Sequence, residues 1–328
     1  MPASLDLSRL AKVDLHRHLE GAIRPRTAFE LACENGAVAV DESFESFRAT
    51  VVVDRPLPLL DVLACFDVIR RPVVGAEAVA RIAREALEDA ATDRVELCEL
   101  RYSPLTLARA AGLTMDQTRQ AVCRGIAAAQ EAGVAVDAPL CVVISRRHGI
   151  EAAWEVLRHV EQDQGDTYVG IDFASDELRH SSGEFSEIAQ AFFDMSLPIT
   201  VHTGEGVGPD RVREAVELPG VRRLGHALSL VDDLGLAEEV RSREMTVEVS
   251  PTSNVRTGLV ASYGEHPARI LRERGLHLVL CSDDPELFAV SLSHELKIAR
   301  EQMGWTDADI EQSQAWARQA CFGSRSAR

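Results

Sequence analysis

Two histidines stand one residue apart at the end of an apolar run near the start of the chain, His16 and His18 in segment 12–21. On a β-strand, residues i and i+2 point to the same face, so both imidazoles can approach one point. Imidazoles directed at one point are a common part of a metal site. The alternative for an isolated pair is two surface histidines, and three later segments argue against it.

Those three segments place chemically active side chains at the ends of predicted strands. A fifth strand is followed by His202 and Glu205, a sixth by His226, and an eighth by Asp283 and Asp284. Three imidazole nitrogens and one carboxylate oxygen form a donor set that suits Zn²⁺ with one position left open for water. Bound zinc would lower the pKa of that water and supply hydroxide as a nucleophile. The predicted ligands are His16, His18, His202 and Asp283.

The remaining groups at these strand ends suit proton transfer and substrate binding. His226 could act as a base or as an electrostatic partner of the hydroxide, and Glu205 could donate a proton to substrate. Asp284 could accept a hydrogen bond from substrate. The structural alternatives are a helix cap for Asp284 and an ordinary loop carboxylate for Glu205. A binuclear site with a carboxylated lysine is disfavoured, because Lys12 and Lys297 both lie away from the ends of strands four and five.

Eight short β-branched runs alternate with helical patterns, and these elements must position the side chains above. The predicted strands are 12–16, 95–101, 134–144, 168–173, 198–202, 221–225, 246–250 and 276–281. The alternation predicts parallel strands with crossover helices. Eight such units indicate an α/β fold of the (β/α)8 TIM-barrel type, in which active sites form at the carboxyl ends of the strands. The alternative is an open doubly wound sheet, which the missing GxGxxG after strand one disfavours.

The first connection, residues 24–72, is unusually long and contains helical patterns, among them 58–71. We expect these extra helices to form a cap over the barrel mouth, and packing against the side of the barrel is the alternative. The whole chain, 1–328, is expected to form a single TIM-barrel domain of a metal-dependent hydrolase.

Composition excludes several classes of partner. The 328 residues carry a net charge of −17, and such an acidic surface repels nucleic acid and anionic membranes. Runs of 18 apolar residues are missing, and the start lacks the pattern of a signal peptide. Seven scattered cysteines without CxxC spacing are typical of reduced thiols. We therefore expect a cytoplasmic protein that binds a small molecule, and its oligomeric state is left open.

Seven segments together resemble the adenosine/adenine deaminase family of the metal-dependent amidohydrolase superfamily. They occur in family order and extend over essentially the whole chain. They are HRHLEG at 16–21, RYSP at 101–104, GIDFASDE at 170–177, HTGE at 202–205, LGH at 224–226, SPTSN at 250–254 and SDDP at 282–285. The resemblance implies a TIM barrel with one Zn²⁺ per chain that hydrolyses the exocyclic amine of a 6-aminopurine to a carbonyl and releases ammonia.

The resemblance also implies a role for each site residue. His226 orients and deprotonates the water, Glu205 protonates purine N1, and Asp284 binds purine N7. Glu20 matches a residue on the ribose side of the substrate, and Ser175 matches a residue whose backbone N–H reaches purine N3. The implied zinc ligands are His16, His18, His202 and Asp283, and His18 is also assigned to substrate contact.

Three departures from the family pattern bear on the substrate. Glu20 replaces the aspartate usual in adenosine deaminases, Ser175 replaces a glycine, and Ala227 replaces the second glycine of Gly-His-Gly. Glutamate at position 20 is common in adenine deaminases, whereas the spacing from Asp172 to Glu177 is of the adenosine type. Adenosine, which would give inosine, is the first choice. Free adenine and a 5′-modified adenosine such as aminodeoxyfutalosine are the alternatives.

Several residues keep two interpretations. Arg17, Arg24 and Arg146 could meet a substrate carboxylate or could pair with nearby acids. Arg101 is expected to pair inside the barrel mouth, and His266 to begin a helix. The competing functions are a metal-dependent hydrolase acting on a non-purine amide or ester, and a non-catalytic zinc-binding module.

Overall fold

Eight parallel strands form the centre of the computed structural model, which describes residues 5–39, 41–163 and 167–323. Each strand pairs with the next along the chain. They are β1 Lys12–His18, β2 Val95–Tyr102, β3 Leu140–Ser145, β4 Tyr168–Ala174, β5 Ile199–Thr203, β6 Val221–His226, β7 Thr246–Val249 and β8 His277–Leu280. The first and last strands meet just beyond β8, where His18 N–H donates to the Asp283 carbonyl at 2.9 Å and Asp283 N–H donates to the His16 carbonyl at 2.8 Å. The predicted TIM barrel is confirmed.

Fourteen α-helices of the described chain surround these strands or extend their connections. They are α1 Pro25–Glu34, α2 Phe44–Val51, α3 Leu59–Arg70, α4 Gly75–Thr92, α5 Pro104–Ala111, α6 Met115–Glu131, α7 Gly149–Gln162, α8 Ser186–Asp194, α9 Pro209–Glu217, α10 Leu234–Ser242, α11 Pro251–Arg256, α12 Ala268–Glu273, α13 Leu292–Gln302 and α14 Asp307–Ala320. Among the residues that the structure describes, none of the helices is long and apolar enough to cross a membrane.

Local sequence explains these elements. Helix α4 buries Val79, Ile82, Ala83 and Ala86, whose spacing places them on one face. Helix α6 begins at a capping box, in which the Thr114 side chain and the side chain at the third helical position satisfy backbone N–H groups. The strands are buried along most of their length, as expected for parallel sheets covered by helices.

The third strand begins later than predicted. The interpretation of 134–144 as a strand was wrong at its start, because β3 begins at Leu140. Pro139 lacks a backbone N–H and cannot donate to a ladder. Before it, Asp137 forms only an isolated bridge with Leu97. Conversely, β1 and β6 extend to His18 and His226, so the strand ladder itself holds these histidines.

Charged side chains fill part of the barrel interior. Arg101 pairs with Asp172 at 3.0 Å and with Glu248 at 2.6 Å, and Arg223 Nε lies 2.8 Å from Glu248 Oε1. All four side chains are at most 1% exposed. Buried charges are tolerated when each meets an opposite charge. The network lies directly behind two of the predicted metal ligands, and Arg101 pairs inside the barrel as expected.

Candidate active site

Four predicted ligands converge at the carboxyl ends of three strands. His16 Nε2 lies 3.0 Å from His18 Nε2, and His18 Nε2 lies 3.3 Å from His202 Nε2. Asp283 Oδ1 is 3.3 Å from His16 Nε2 and 3.6 Å from His18 Nε2. Ligand atoms about 2 Å from one tetrahedral zinc ion are about 3.3 Å apart. The four donors therefore fit one divalent cation.

Carboxylates orient two of these imidazoles from behind. His16 Nδ1 lies 2.9 Å from Glu248 Oε2, and His202 Nδ1 lies 2.9 Å from Asp172 Oδ1. Burial alone would raise the pKa of Asp172, but His202 and Arg101 hold that pKa well below its ordinary value. An ionised carboxylate accepts the Nδ1–H, which leaves the Nε2 lone pair free to bind a metal.

Sequence reasoning did not assign these supporting carboxylates. Asp172 lies in a motif that carries the family resemblance, so its position was a usable signal. Glu248 lies on β7 outside all the quoted motifs. Its neighbour in space, His16, is on β1, and only closure of the barrel brings the two together.

A second set of donors overlaps the first. Ligand atoms of His16, His202, His226 and Asp283 all lie within 4.8 Å of one another. The set differs from the predicted one by exchanging His18 for His226. Which imidazole offers a lone pair to the ion depends on the tautomer of His226, because a protonated Nε2 cannot bind a metal.

Left-handed backbone occurs at several positions of the candidate site. The φ angles are 60° at His226, 47° at Ala227, 61° at Asp283 and 69° at Ser175. Residues with a Cβ adopt this region at a cost of roughly 1–2 kcal/mol. Such strain persists where surrounding structure over-determines the backbone, and it concentrates at functional sites. The strand ends therefore turn sharply and present His226 and Asp283 to the barrel mouth.

Glu205 is carried by a turn that Glu177 holds in place. Glu177 Oε1 accepts hydrogen bonds from Thr203 Oγ1 and Gly204 N–H, both at 2.8 Å, and its Oε2 accepts from Glu205 N–H at 3.1 Å. The Glu177 side chain is buried. Sequence reasoning assigned this residue no role, although it ends the GIDFASDE segment.

The Glu205 carboxyl is arranged to keep its proton. Burial raises its pKa to about 8, Asp283 and Glu177 contribute in the same direction, and His202 opposes them. Its Oε1 lies 3.6 Å from His226 Nε2. A carboxyl with this pKa is mostly protonated at neutral pH and suits the role of a proton donor.

Asp284 and Gly21 form a tight pair beside the ligands. Burial and the adjacent Asp283 raise the pKa of Asp284 well above its ordinary value. Among the described residues, Asp284 Oδ1 is buried without a hydrogen-bond partner. A Cβ at Gly21 would lie 1.9 Å from that oxygen, so only glycine allows this approach. A buried polar atom at the edge of a cavity suits a contact with substrate.

A cavity opens above these groups. His18, Glu20, Ser175, Glu205, His226 and Asp284 are all among its lining residues. Helix α3 lines part of it with Leu59, Val62, Leu63 and Phe66. Glu20 accepts a hydrogen bond from Ser103 N–H at 3.0 Å, and burial raises its pKa.

The three arginines with two interpretations all have protein partners. Arg24 donates two hydrogen bonds to Asp89, at 2.7 and 2.9 Å. Arg17 is buried with an Nη1 4.0 Å from Asp14. Arg146 lines the cavity, but its nitrogens donate to the Ser175 carbonyl at 3.1 Å, the His202 carbonyl at 2.9 Å and Ser182 Oγ at 3.1 Å. The arginines near the cavity that sequence reasoning missed are Arg70 and Arg147.

This chain is similar to known proteins over nearly its whole length. The family model described as adenosine deaminase matches residues 11–328. An adenosine deaminase of Shewanella loihica is 31% identical over 317 residues, which covers 96% of this chain and 95% of the relative.

Solved structures share the fold over nearly their whole length. The Arabidopsis N6-mAMP deaminase has a TM-score of 0.86 at 28% identity and covers 98% of this chain and 96% of its own. Arabidopsis ADAL complexed with IMP has a TM-score of 0.86 at 28% identity, covering 98% and 94%. An amidohydrolase from Burkhoderia ambifaria with bound Zn has a TM-score of 0.89 at 24% identity, covering 100% and 91%. This chain therefore belongs to the adenosine deaminase family of purine deaminases, enzymes that hydrolytically deaminate adenine-type compounds.

Proposed function

We propose that this enzyme uses one bound Zn²⁺ to remove the 6-amino group of a purine nucleoside, with adenosine as first-choice substrate and inosine and ammonia as products. The observation that carries the proposal is the convergence of three imidazole nitrogens and one carboxylate oxygen, with neighbouring donor atoms 3.0–3.6 Å apart, next to a half-buried Glu205 whose pKa is about 8. When bound, the cation acidifies a water molecule and so supplies the nucleophile.

The chain's own residues prepare the purine for attack. Glu205, protonated at neutral pH, would donate its proton to N1, which lets the ring accept electron density when C6 is attacked. Burial and the adjacent Asp283 raise the pKa of Asp284, which favours a protonated carboxyl that would donate to N7 and not accept from substrate, and one oxygen of this carboxyl has no partner among the described residues. Ser175 and Glu20 would contact the N3 and ribose sides, since both line the cavity.

The test is a panel of purines given to zinc-loaded protein, with ammonia measured directly. The panel contains adenine, adenosine, deoxyadenosine, 5′-methylthioadenosine, AMP and aminodeoxyfutalosine. We expect about one zinc per chain and turnover of at least one nucleoside. Hydrolysis of an amide or lactone while every 6-aminopurine fails would instead favour the non-purine hydrolase, and tight purine binding without ammonia release would favour the binding module.

A second candidate substrate is adenosine with an anionic 5′ substituent, and a cluster of positive charge favours it. Arg70 and Arg147 line the cavity together with Glu20. The pKa of His148 is lowered first by burial and then by the positive charges of Arg147, Arg109 and Arg70, which shows that these arginines lie close together. Such a concentration of cations stands out in a chain of net charge −17 and suits a phosphate or carboxylate group.

The two guanidinium groups already share one carboxylate. Arg70 donates to Asp67 Oδ1, and Arg147 Nη2 lies 3.7 Å from Asp67 Oδ2. Arg70 is only 13% exposed, and burial lowers its pKa. A substrate anion would therefore compete with Asp67 for these groups, which predicts that Asp67→Asn improves turnover of an anionic substrate.

Substitution of Arg70 separates the two substrates. A hydrogen bond to a charged group contributes about 1.5–3 kcal/mol, so Arg70→Met should lower kcat/KM for AMP relative to adenosine by about tenfold or more. Arg124→Gln is a matched control, because Arg124 is 52% exposed on α6 and pairs with Glu77. An unchanged ratio in Arg70→Met would leave adenosine as the preferred substrate.

The seven free thiols accord with the cytoplasmic location expected from the sequence.

A further inference from the structure

A chain of hydrogen bonds runs from the start of helix α12 to the catalytic histidine. Ala268 N–H donates to His266 Nδ1 at 3.1 Å. His266 Nε2 lies 3.2 Å from Asn254 Oδ1, and Asn254 Nδ2 lies 3.0 Å from His226 Nδ1. The three side chains are at most 2% exposed. The sequence suggested only that His266 begins a helix.

The first bond of the chain has only one direction. A backbone N–H can donate but cannot accept, so His266 Nδ1 must offer its lone pair. Burial, with the nearby His226, lowers the pKa of His266 to about 3, and the ring is therefore neutral. A neutral imidazole that accepts at Nδ1 carries its proton on Nε2. His266 therefore donates from Nε2 to Asn254.

That donation fixes the orientation of the Asn254 amide. Its oxygen must face His266, and its NH₂ group must then face His226 Nδ1. Amide orientations are often ambiguous, but a fixed backbone donor at the end of the network removes the ambiguity. Because an amide NH₂ only donates, His226 Nδ1 must accept.

We propose that His266 is a positioning residue that, through Asn254, holds His226 in the neutral tautomer with its proton on Nε2. The tautomer itself follows from the network alone. Its catalytic consequence rests on the proposed function, because it requires a water nucleophile beside His226.

Two consequences follow at the site. A protonated Nε2 cannot bind a metal, so of the two overlapping donor sets the one with His18 would hold the ion, and His226 would stay outside it. His226 Nε2 faces Glu205 Oε1 at 3.6 Å and Asp283 Oδ2 at 3.9 Å. Of the two roles open to His226, base or partner of the nucleophile, the network selects the second.

This tautomer determines which proton His226 can offer to the nucleophile. His226 donates a hydrogen bond to the nucleophile and keeps its proton throughout. The ring of His226 thus orients the nucleophile through its Nε2–H.

The direct test is nitrogen NMR of the zinc-loaded protein with ¹⁵N-labelled histidine. The His226 and His266 signals are assigned by their loss in His226→Gln and His266→Gln. We expect a protonated Nε2 and an unprotonated Nδ1 for both rings. A protonated Nδ1 on His226 in the unsubstituted protein overturns the proposal, and this measurement needs no turnover.

Variants test the relay itself. Asn254→Asp offers only acceptors, so the proposal predicts that the His226 proton moves to Nδ1. His266→Leu removes the donor and should lower kcat about tenfold or more with a smaller effect on KM, whereas His266→Gln, which offers an amide N–H, should restore most of kcat. His180→Leu, in the segment after β4 with a side chain 31% exposed, is the control.

Two results would contradict the relay from His266 to His226, and a third would separate it from the proposed function. An unchanged His226 tautomer in Asn254→Asp, or equal losses of kcat in His266→Leu and His266→Gln, contradicts the relay. If the tautomers are as expected but no purine is deaminated, the proposed function fails while the assignment of His226 stands.

Discussion

The acid role proposed for Glu205 predicts the shape of the pH profile. Burial raises the pKa of this carboxyl to about 8, so the protonated form is present below that pH and is lost as the pH rises through it. The protonated fraction is about 90% at pH 7 and about 10% at pH 9, which predicts that kcat/KM falls about tenfold across this interval.

The assay follows the loss of adenine-band absorbance at constant ionic strength, with zinc content measured at each pH. Glu205→Gln keeps the shape of the side chain but cannot deliver a proton from a carboxyl. We expect it to retain zinc, to lose on the order of 10²–10⁴-fold in kcat, and to lack the fall above pH 8.

Glu238→Gln is a suitable control, because Glu238 is 62% exposed on helix α10 and pairs only with surface Arg241. It should preserve both the rate and the profile. A wild-type profile that is flat to pH 9, or a Glu205→Gln enzyme that is fully active, would refute the assignment.

Three further changes test neighbouring parts of the site. Asp283→Ala should lose most of its bound zinc by metal analysis, and removal of zinc by a chelator should abolish turnover until zinc is restored; an active zinc-free protein contradicts the metal site. Gly21→Ala should raise KM more than it lowers kcat in steady-state assays, because a Cβ would lie 1.9 Å from Asp284 Oδ1, and a normal KM would contradict that role. In Glu177→Gln an amide NH₂ group would face donors whose hydrogen bonds the Glu177 carboxylate now accepts. Leaving such a buried donor without an acceptor costs about 1–3 kcal/mol. We therefore expect kcat to fall about tenfold while the zinc content stays normal.

Local pattern was enough to predict the architecture. Short buried strands and amphipathic helices alternate with their own periodicities, and the alternation of eight units specifies a parallel barrel. The start of β3 was wrong, because an apolar run before Pro139 looks like a strand although proline cannot join the ladder.

The cluster of candidate metal donors was also predictable from sequence. Parallel strands point the same way, so residues at their carboxyl ends meet at one face whatever the rest of the fold does. His202 and Asp283 could therefore be placed beside His16 without coordinates, and the structure brings their ligand atoms together.

Sequence alone thus determined which side chains stand at the barrel mouth, since strand direction and the two-residue repeat are local properties. Only tertiary structure decided what stands behind them. Glu248 reaches His16 across the closed barrel, and His266 reaches His226 through Asn254. Such contacts depend on register and side-chain packing between segments far apart in the chain, and these also set the burial that raises the pKa of Glu205 to about 8.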